Sequence, residues 1–452
     1  NFDISIKLSL EGIGAVLRWE DGYTVVNSIV PGGAAARNGK LKPDDRIIAV
    51  AQGDKAFESV IDMRLNNVVQ LIRGKRGTKV GLQVLRKTKK GFDTLKIVIV
   101  RDKIVLKDGE AQSSIFEQPA AVESKSKQEM LRIGVIKLRS FYVDFNDRRK
   151  NPGNYKSSSR DVKVHLKKFV EENVDGVILD LRNNGGGGLD EAINMAGLFI
   201  GHNPVVIVRQ SGGRRVTVHR SRERAIYTGP LVIMLNRYSA SASEILAGAM
   251  HDFQRAILVG DTTTFGKGTV QNIFQLPEGY GALKVTIAQF YRVSGWSTQN
   301  RGVETSLVLP SLNNAREIGE STLDNALPWR SIDPVSYRVS GNLKNFLPEL
   351  KKLSAERIDK ADFFRKIDED VQEYLTNIKP LKFTSILKMQ EDDTRRKSQR
   401  EQEVTSATET ETEEVFATED NPESKKEIKR DAYMNESMSI LADYINLRQK
   451  AE

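Results

Sequence analysis

Residues 231–271 constrain the fold of this 452-residue chain more than any other stretch. Leu231–Leu235 is a short apolar run of the kind that forms a buried strand. Small residues follow it, and apolar side chains then recur at helical spacing, at Ile245, Leu246, Ala249, Met250 and Phe253. The pattern predicts a strand that turns sharply into a helix, the repeating unit of an α/β domain.

Ser241, at this turn, has two interpretations. Ser-Ala-Ser-Glu matches a capping box, with Ser241 as the N-cap and Glu244 at the third helical position. A sharp strand-to-helix turn also presents a serine among free backbone N–H groups, whose dipoles stabilise a developing oxyanion. Taken alone, the stretch favours the helix cap, and the nucleophile is the alternative.

Lys267 follows in Phe-Gly-Lys-Gly, between Gly266 and Gly268, which allow close approach of backbone and substrate. A lysine acts as a general base for a serine only when its amine is neutral. Burial must then lower its pKa from about 10.4 to about 7–8. An exposed turn lysine is the simpler alternative for the residue taken alone.

Together these segments resemble the tail-specific, or C-terminal processing, serine peptidases, which carry both a Ser-Ala-Ser and a Phe-Gly-Lys-Gly segment in this order. The resemblance implies that Ser241 is the nucleophile, Lys267 the general base and Gln271 the residue that orients the lysine. Asp252 matches an acidic residue that supports the site in some members, although a solvated helix residue is an equal alternative. The spacer at Asp261–Thr264 is one residue longer than expected, so the loop geometry is expected to differ there.

A second glycine-rich turn lies upstream, where the predicted strand Gly176–Leu181 leads into four consecutive glycines and the predicted helix Leu189–Ile200. The resemblance implies that this turn supplies half of an oxyanion hole, at Gly187, with Gly186 as the alternative. The backbone N–H of Ala242 would supply the other half. A flexible turn requires fewer assumptions but leaves the four glycines unexplained.

Residues 1–11 are expected to be the remnant of a missing N-terminal region, and residues 12–103 resemble a PDZ domain in their order of predicted strands and turns. PDZ domains hold a terminal carboxylate with exposed N–H groups while the peptide adds a strand to the sheet edge. Here the carboxylate loop would be Gly12, Ile13, Gly14 and Ala15, with a predicted helix at Met63–Arg73 beside it.

The remaining boundaries follow composition and periodicity. We expect a connection at 104–130 and a serine peptidase core at 131–312. The core is predicted to be an α/β domain, a β-sheet with flanking helices, and the resemblance implies a crotonase-like fold. Residues 313–452 carry helical patterns and resemble the helical C-terminal extension of the tail-specific subgroup. Within them, 401–430 is acidic and poor in apolar residues, which predicts disorder.

Composition excludes several classes of function. The chain carries a net charge of +9 but no basic patch with interleaved aromatic residues, so nucleic-acid binding is not expected. No apolar run is long enough for a transmembrane segment. The absence of cysteine excludes thiol catalysis, disulfides and thiolate metal sites. No cofactor or metal is expected. The resemblance, and nothing else in the sequence, implies that the protein is located in the periplasm.

The sequence thus predicts a serine endopeptidase that recognises protein substrates by their C-terminal tails, with an adaptor protein as a further partner. A PDZ scaffold with an inactive peptidase core is the alternative from a different class. A Ser-His-Asp hydrolase using His251 is disfavoured because that residue lies too far along the predicted helix from Ser241. A P-loop at Lys267 is rejected because Gly268, rather than Ser or Thr, follows the lysine.

Overall fold

The computed structural model describes residues 9–88, 91–105, 109–120, 130–213, 215–277, 281–339, 341–378, 428 and 430–451. The segment predicted to be disordered, 401–430, therefore lies outside the described residues except at positions 428 and 430. Residues 9–11 of the expected N-terminal remnant form, together with Gly12, the strand Ser9–Gly12, which pairs with Asp102–Val105.

The N-terminal module is a sheet that shares its core with two short helices. Its strands and helices are β1 Ser9–Gly12, β2 Ala15–Glu20, β3 Tyr23–Ile29, α1 Ala34–Asn38, β4 Arg46–Gln52, β5 Glu58–Ser59, α2 Leu65–Ile72, β6 Lys79–Thr88, β7 Gly91–Val100 and β8 Asp102–Val105. The main sheet has the order β2-β3-β4-β6-β7, so β2 is an edge strand, and α2 packs against it. An open strand edge beside a helix is the arrangement that a PDZ domain needs to accept a peptide.

The larger sheet of the molecule has the order β18-β15-β14-β11-β10-β9 and is parallel except for β9. Its elements, with the helices between them, are β9 Gln112–Pro119, β10 Met130–Lys137, α3 Phe145–Lys150, α4 Ser158–Glu171, β11 Gly176–Asp180, α5 Leu189–Ile200, and later β14 Leu231–Leu235, α6 Ala242–Asp252, β15 Ile257–Gly260 and β18 Leu307–Val308. Strands such as β11 and β14 are buried along their whole length, as expected for a parallel sheet covered on both faces.

A second, four-stranded antiparallel sheet has the order β13-β12-β17-β16. Its strands are β12 Pro204–Gln210, β13 Val216–Arg220, β16 Thr269–Gln275 and β17 Ala282–Tyr291. Helices α4, α5 and α6 share one buried core with this sheet and with one face of the parallel sheet. The strand β16, which begins two residues after Lys267, lies at one edge of the second sheet, and β13 lies at the other.

The stretch 104–130, expected to be a connection, contains a regular strand, which corrects that expectation. β9 pairs antiparallel with β10 over eight residue pairs, from Gln112↔Lys137 to Pro119↔Met130. The Ser- and Gln-rich composition of β9 favours a loop locally. Pairing with a neighbouring strand overrides that weak local preference.

The C-terminal extension covers the second face of the parallel sheet. It consists of α7 Leu312–Ala315, α8 Leu347–Lys360, α9 Asp362–Glu373 and α10 Ala432–Ala451, with short 3₁₀ turns at Glu320–Thr322 and Leu343–Asn345 and a π turn at Tyr374–Ile378. Apolar residues of α10, including Met438, Leu441 and Ile445, pack with Ile178 and Val232 of the sheet. The expected combination of an α/β core, an N-terminal module of strands and a helical extension is confirmed, and the extension completes the core of the α/β domain.

Candidate active site

Ser241 lies at the turn between β14 and α6, in a backbone conformation that non-glycine residues seldom adopt. Its φ is +58° and its ψ is −110°. The two flanking serines hold the turn in place, because the Ser239 hydroxyl donates to the Leu181 carbonyl and the Ser243 hydroxyl donates to the Asn184 carbonyl, each over 2.9 Å. Such backbone strain persists only where the surroundings impose it, and it is common at functional sites.

The Lys267 amine is half-buried and has a defined partner. Its Nζ donates to Oε1 of Gln271 over 2.9 Å. Burial lowers the pKa of Lys267 below its ordinary value and the positive charge of Lys284 lowers it further, while the carboxylates of Glu320 and Glu244 oppose the shift. The environment therefore moves Lys267 towards the neutral form that a general base requires.

Glu244 joins the serine turn to the lysine loop. Its Oε2 accepts the backbone N–H groups of Ser241 and Lys267, and its Oε1 accepts the N–H of Gly266 and the hydroxyl of Thr264, over 2.6 to 2.9 Å. The side chain is fully buried, and burial raises the pKa of Glu244 to about 7 although these four hydrogen bonds favour the ionised form. A single carboxylate thus fixes two segments that are separate in sequence.

The glycine turn after β11 distinguishes Gly187 from Gly186. The N–H of Gly186 is already used, since it donates to Oδ1 of Asn184 over 2.9 Å. For the N–H groups of Gly187 and Ala242, no acceptor is found within the described part of the chain. Gly187 has a φ of +150° and so close an approach to Phe141 that a Cβ would overlap the Phe141 carbonyl oxygen. Among the described residues, the N–H groups of Gly187 and Ala242 are therefore available for the role that the resemblance implies.

The proposed catalytic groups line one cavity of about 300 Å³. Ser241, Ala242, Lys267, Gln271 and Gly187 all line it. The rest of the wall is largely apolar and is contributed by Phe145, Leu189, Ile245, Val270, Ile273 and Phe290. The sequence does not single out these apolar residues, because their spacing is that of ordinary core positions in strands and helices.

Asp252, which was predicted to support the site, lies away from the cavity. It is at the C-terminal end of α6, about 16 Å along the helix from Ser241 at 1.5 Å per residue, and does not line the cavity. Both carboxylate oxygens of Asp252 contact the Arg292 guanidinium, and the Ser294 hydroxyl donates to Oδ2 over 3.1 Å. The residue anchors the segment that follows β17, which favours structural support over catalysis.

The neighbouring His251 does not reach the serine either. Its Nδ1 lies 2.7 Å from a guanidinium nitrogen of Arg292, and the ring does not line the cavity. The helical rise that separates Asp252 from Ser241 separates His251 from it as well. The geometry thus disfavours a Ser-His-Asp arrangement with this histidine.

The predicted carboxylate loop lies between β1 and β2. Its carbonyl groups are used, since the Gly14 oxygen accepts the N–H of Val30 and the Ile13 oxygen accepts the N–H of Ala35. The N–H groups of Ile13 and Gly14 have no acceptor within the described ranges, and Gly14 has a φ of +77°. Such a loop beside the open edge of β2 can receive a carboxylate.

Metal-binding clusters and membrane-spanning helices are both missing from the residues that the structure describes. These ranges contain no group of three or more His, Asp or Glu side chains placed to hold a metal ion. No helix in the same ranges combines the length and the apolar character needed to cross a bilayer.

Comparison with protein families agrees with the arrangement of the chain. Residues 132–309 match peptidase family S41, residues 313–446 match the C-terminal domain of tail specific protease (DUF3340), and residues 3–85 match the PDZ domain. These matches occur in the order that the resemblance predicted.

Named relatives point to the same family. The chain is 40% identical over 383 residues to the tail-specific protease of Haemophilus influenzae, covering 82% of this chain and 51% of that protein. It is 33% identical over 306 residues to the carboxy-terminal processing protease CtpA of Bacillus subtilis, covering 67% of this chain and 57% of that protein. The chain thus spans little more than half the length of these relatives.

Among solved structures, the chain matches the photosystem II D1 C-terminal processing protease at 26% identity and a TM-score of 0.38, covering 67% of this chain and 72% of that one. The PDZ domain of the carboxy-terminal protease from Vibrio cholerae, solved with a peptide, is 49% identical with a TM-score of 0.21, covering 21% of this chain and 97% of that one.

The three domain matches and the named relatives confirm the predicted resemblance. The chain therefore belongs to peptidase family S41, in the tail-specific, C-terminal processing branch that carries a PDZ domain.

Proposed function

We propose that this chain carries a serine endopeptidase that uses Ser241 as nucleophile and Lys267 as general base, and that selects protein substrates by their free C-terminal tails. The observation that carries the proposal is the shared cavity. It brings Ser241 and Lys267 together with the free N–H groups of Gly187 and Ala242. The lysine there is partly desolvated and its amine donates to Gln271.

In the proposed reaction, neutral Lys267 takes the proton of the Ser241 hydroxyl as its oxygen attacks the scissile carbonyl carbon. The N–H groups of Gly187 and Ala242 receive the negative charge that develops on the carbonyl oxygen. The lysine then returns the proton to the leaving amine, and an acyl-enzyme on Ser241 remains. Water, deprotonated by the same amine, releases the acid and restores the serine. Gln271 acts as a positioning residue by holding Nζ.

The cavity wall indicates which side chain precedes the cleaved bond. Leu189, Ile245 and Phe290 make part of the wall apolar, which suits an apolar side chain better than a charged one. The open edge of β16 runs beside Ser241 and can pair with an extended substrate backbone. Peptides with an apolar residue at that position should therefore be cleaved faster than those with a charged one.

The PDZ domain would supply the selection of tails. A free carboxylate would be held by the N–H groups of Ile13 and Gly14 while the peptide pairs with the edge of β2. Cleavage would then occur at a second place, Ser241. A C-terminally amidated peptide lacks the charge that the loop favours, so it should be cleaved with a higher KM or a lower kcat than the free acid.

The alternative is a PDZ scaffold with an inactive core. Labelling by a fluorophosphonate and peptide turnover separate the two, measured on the wild type and on Ser241→Ala, Lys267→Ala and Lys267→Arg. All three variants should be inactive. The two alanine variants lack the nucleophile or the base, and the arginine in Lys267→Arg retains its proton at usable pH. The Ser241→Ala/Lys267→Ala double variant should be barely worse than either single variant.

Lys351→Ala, at an exposed lysine of α8, is the control and should keep full activity. Activity in Lys267→Arg would overturn the proposed base, and a wild type that neither labels nor cleaves would favour the scaffold.

The periplasmic location and an adaptor protein stay predictions that rest on the resemblance. Cell fractionation with an antibody against this chain tests the first, and affinity capture with the inactive Ser241→Ala protein tests the second.

A further inference from the structure

The strand β13 forms an open, strongly basic edge on the second sheet, at the opposite side from the strand β16 that lines the cavity. Residues 209–224 contain six arginines and a single glutamate. That glutamate, Glu223, is already paired with Lys163 over 2.6 Å. No role follows for this segment from the sequence, and the proposed peptidase reaction does not use it.

The backbone groups of β13 that face away from the sheet can be identified from the ladder. The Arg215 carbonyl accepts the N–H of Gln210 over 3.0 Å, and the N–H of Ser221 donates to Asn203 over 3.1 Å, so both groups point towards β12. Because backbone direction alternates along an antiparallel strand, the N–H and carbonyl groups of Val216, Val218 and Arg220 point to the open edge. β13 can therefore accept one more strand.

The side chains on this edge combine apolar surface with positive charge that lacks a counter-charge. Val216 and Val218 are 53% and 36% exposed. Arg215 and Arg220 flank the valines along the strand, and Arg222 and Arg224 follow it in the chain. All four arginines are exposed, and none has a carboxylate within 4.0 Å in the described part of the chain. An additional strand with acidic and apolar side chains would neutralise the arginines and cover the valines.

Two other occupants fit less well. A second copy of β13 would place arginines against arginines, and directly opposed like charges destabilise a strand pair. A lipid surface is normally held by a large apolar face with aromatic or leucine anchors, whereas β13 offers two valines. A purely protective role is a further alternative, because charged side chains often keep an edge strand from aggregating. Protection against aggregation does not explain why exposed valines lie between the arginines.

We propose that the edge formed by Val216–Arg220, with Arg215 before it and Arg222 and Arg224 after it in the chain, binds an extended acidic polypeptide segment that adds as a fifth strand to the second sheet. The partner would be the acidic strand of another protein, bound separately from a tail in the PDZ domain and from a peptide in the cavity. The proposal does not depend on Ser241 or Lys267 being catalytic.

The test uses the full chain as Ser241→Ala and a fluorescent peptide of alternating Glu and Val, acetylated and amidated so that it offers no free C-terminus to the PDZ domain. Fluorescence anisotropy should show binding that weakens as salt is raised, and a matched Lys-Val peptide should not bind. Hydrogen exchange should show new protection at the N–H groups of Val216, Val218 and Arg220 in the complex. Protection at β2 or β16 without protection at β13 would overturn the proposal.

Three variants separate charge from strand addition. Reversal of Arg215, Arg220 and Arg222 to Glu should weaken peptide binding at least tenfold. The matched reversal of Lys351, Lys360 and Lys366 on α8 and α9 changes the net charge equally and should not. Val218→Pro removes an outward N–H without removing a bond to β12, and should also weaken binding about tenfold.

Unchanged affinity in the arginine variant, or in Val218→Pro, would overturn the proposed strand. Binding of the protein to phosphatidylglycerol vesicles with no binding of the Glu-Val peptide would assign the edge to a lipid surface instead. Because the hydrogen-exchange measurement needs no substitution at β13, misfolding of a variant would leave the proposal open to refutation.

Discussion

The backbone N–H groups of Ser241 and Lys267 donate to the same atom, Oε2 of Glu244, over 2.7 and 2.9 Å. The proposed nucleophile and the proposed base are therefore held in one frame by a side chain that touches neither reacting atom. Since Glu244 is fully buried and its pKa is raised to about 7, the frame depends on a group that titrates near neutral pH.

Glu244→Gln should lower kcat roughly 100-fold while KM changes little, because small displacements of reacting groups have effects of that size. An amide has a single acceptor oxygen, so its NH₂ group would face two of the four donors that now bind the carboxylate. Covalent labelling of Ser241 should slow in parallel. Glu349→Gln, at an exposed position of α8, is the control. Full activity in Glu244→Gln would show that the frame is not needed for catalysis.

The same variant should change the shape of the pH profile. Falling pH protonates both Glu244 and Lys267, and each event should reduce activity. The wild type should therefore lose activity on the acid side more steeply than a single protonation allows, and Glu244→Gln should follow a one-proton curve. Equal slopes in the two proteins would contradict this expectation. The measurement is kcat/KM for a free-acid peptide across the pH range in which the fold is intact.

Substitution of Lys284 and of Glu320 should shift the acid side of the pH–activity profile in opposite directions. The charge of Lys284 lowers the pKa of Lys267, and that of Glu320 raises it. Lys284→Gln should therefore raise the pKa of Lys267, so activity should appear only at higher pH. Glu320→Gln should lower that pKa and extend activity to lower pH. Shifts of the same sign in both variants would argue against Lys267 as the titrating base.

Gly187→Ala should abolish most activity, whereas Gly185→Ala should not. A Cβ at Gly187 would overlap the Phe141 carbonyl oxygen at a φ of +150°, so the turn and its N–H must move. A Cβ at Gly185 meets no atom within 4 Å. Loss of one oxyanion donor typically lowers kcat by about 10² to 10³. Thermal unfolding of both variants, measured beside kcat, separates a lost donor from a lost fold.

Asp252→Asn should affect stability more than chemistry. Asp252 pairs with Arg292 at the far end of α6, and removal of one member of a buried ion pair typically costs about 3 kcal/mol of the free energy of unfolding. Denaturant titration should show that loss, while kcat below the unfolding transition should stay within a few-fold of the wild type. If kcat instead fell by two orders of magnitude with unchanged stability, Asp252 would belong to the site after all.

The amino-acid sequence alone determined the features that depend on neighbours along the chain. The apolar run Leu231–Leu235 and the helical spacing after Ser241 predict β14, the turn and α6, and these elements form as expected. The glycines around Lys267 and after β11 mark the places where backbone must approach closely. Short-range preferences and side-chain periodicity are sufficient for such features, because the interactions that impose them lie within a few residues.

Only the tertiary structure decided what each of these segments contacts. Glu244 looks like a helix cap in sequence, and its further bonds to Gly266 and Lys267 exist because the loop after β15 folds against the start of α6. The choice of Gly187 over Gly186 depends on Asn184 using one N–H. Asp252 is displaced from the cavity by the straight rise of the helix. Desolvation of the Lys267 amine, which sets its pKa, exists only when distant segments pack around it.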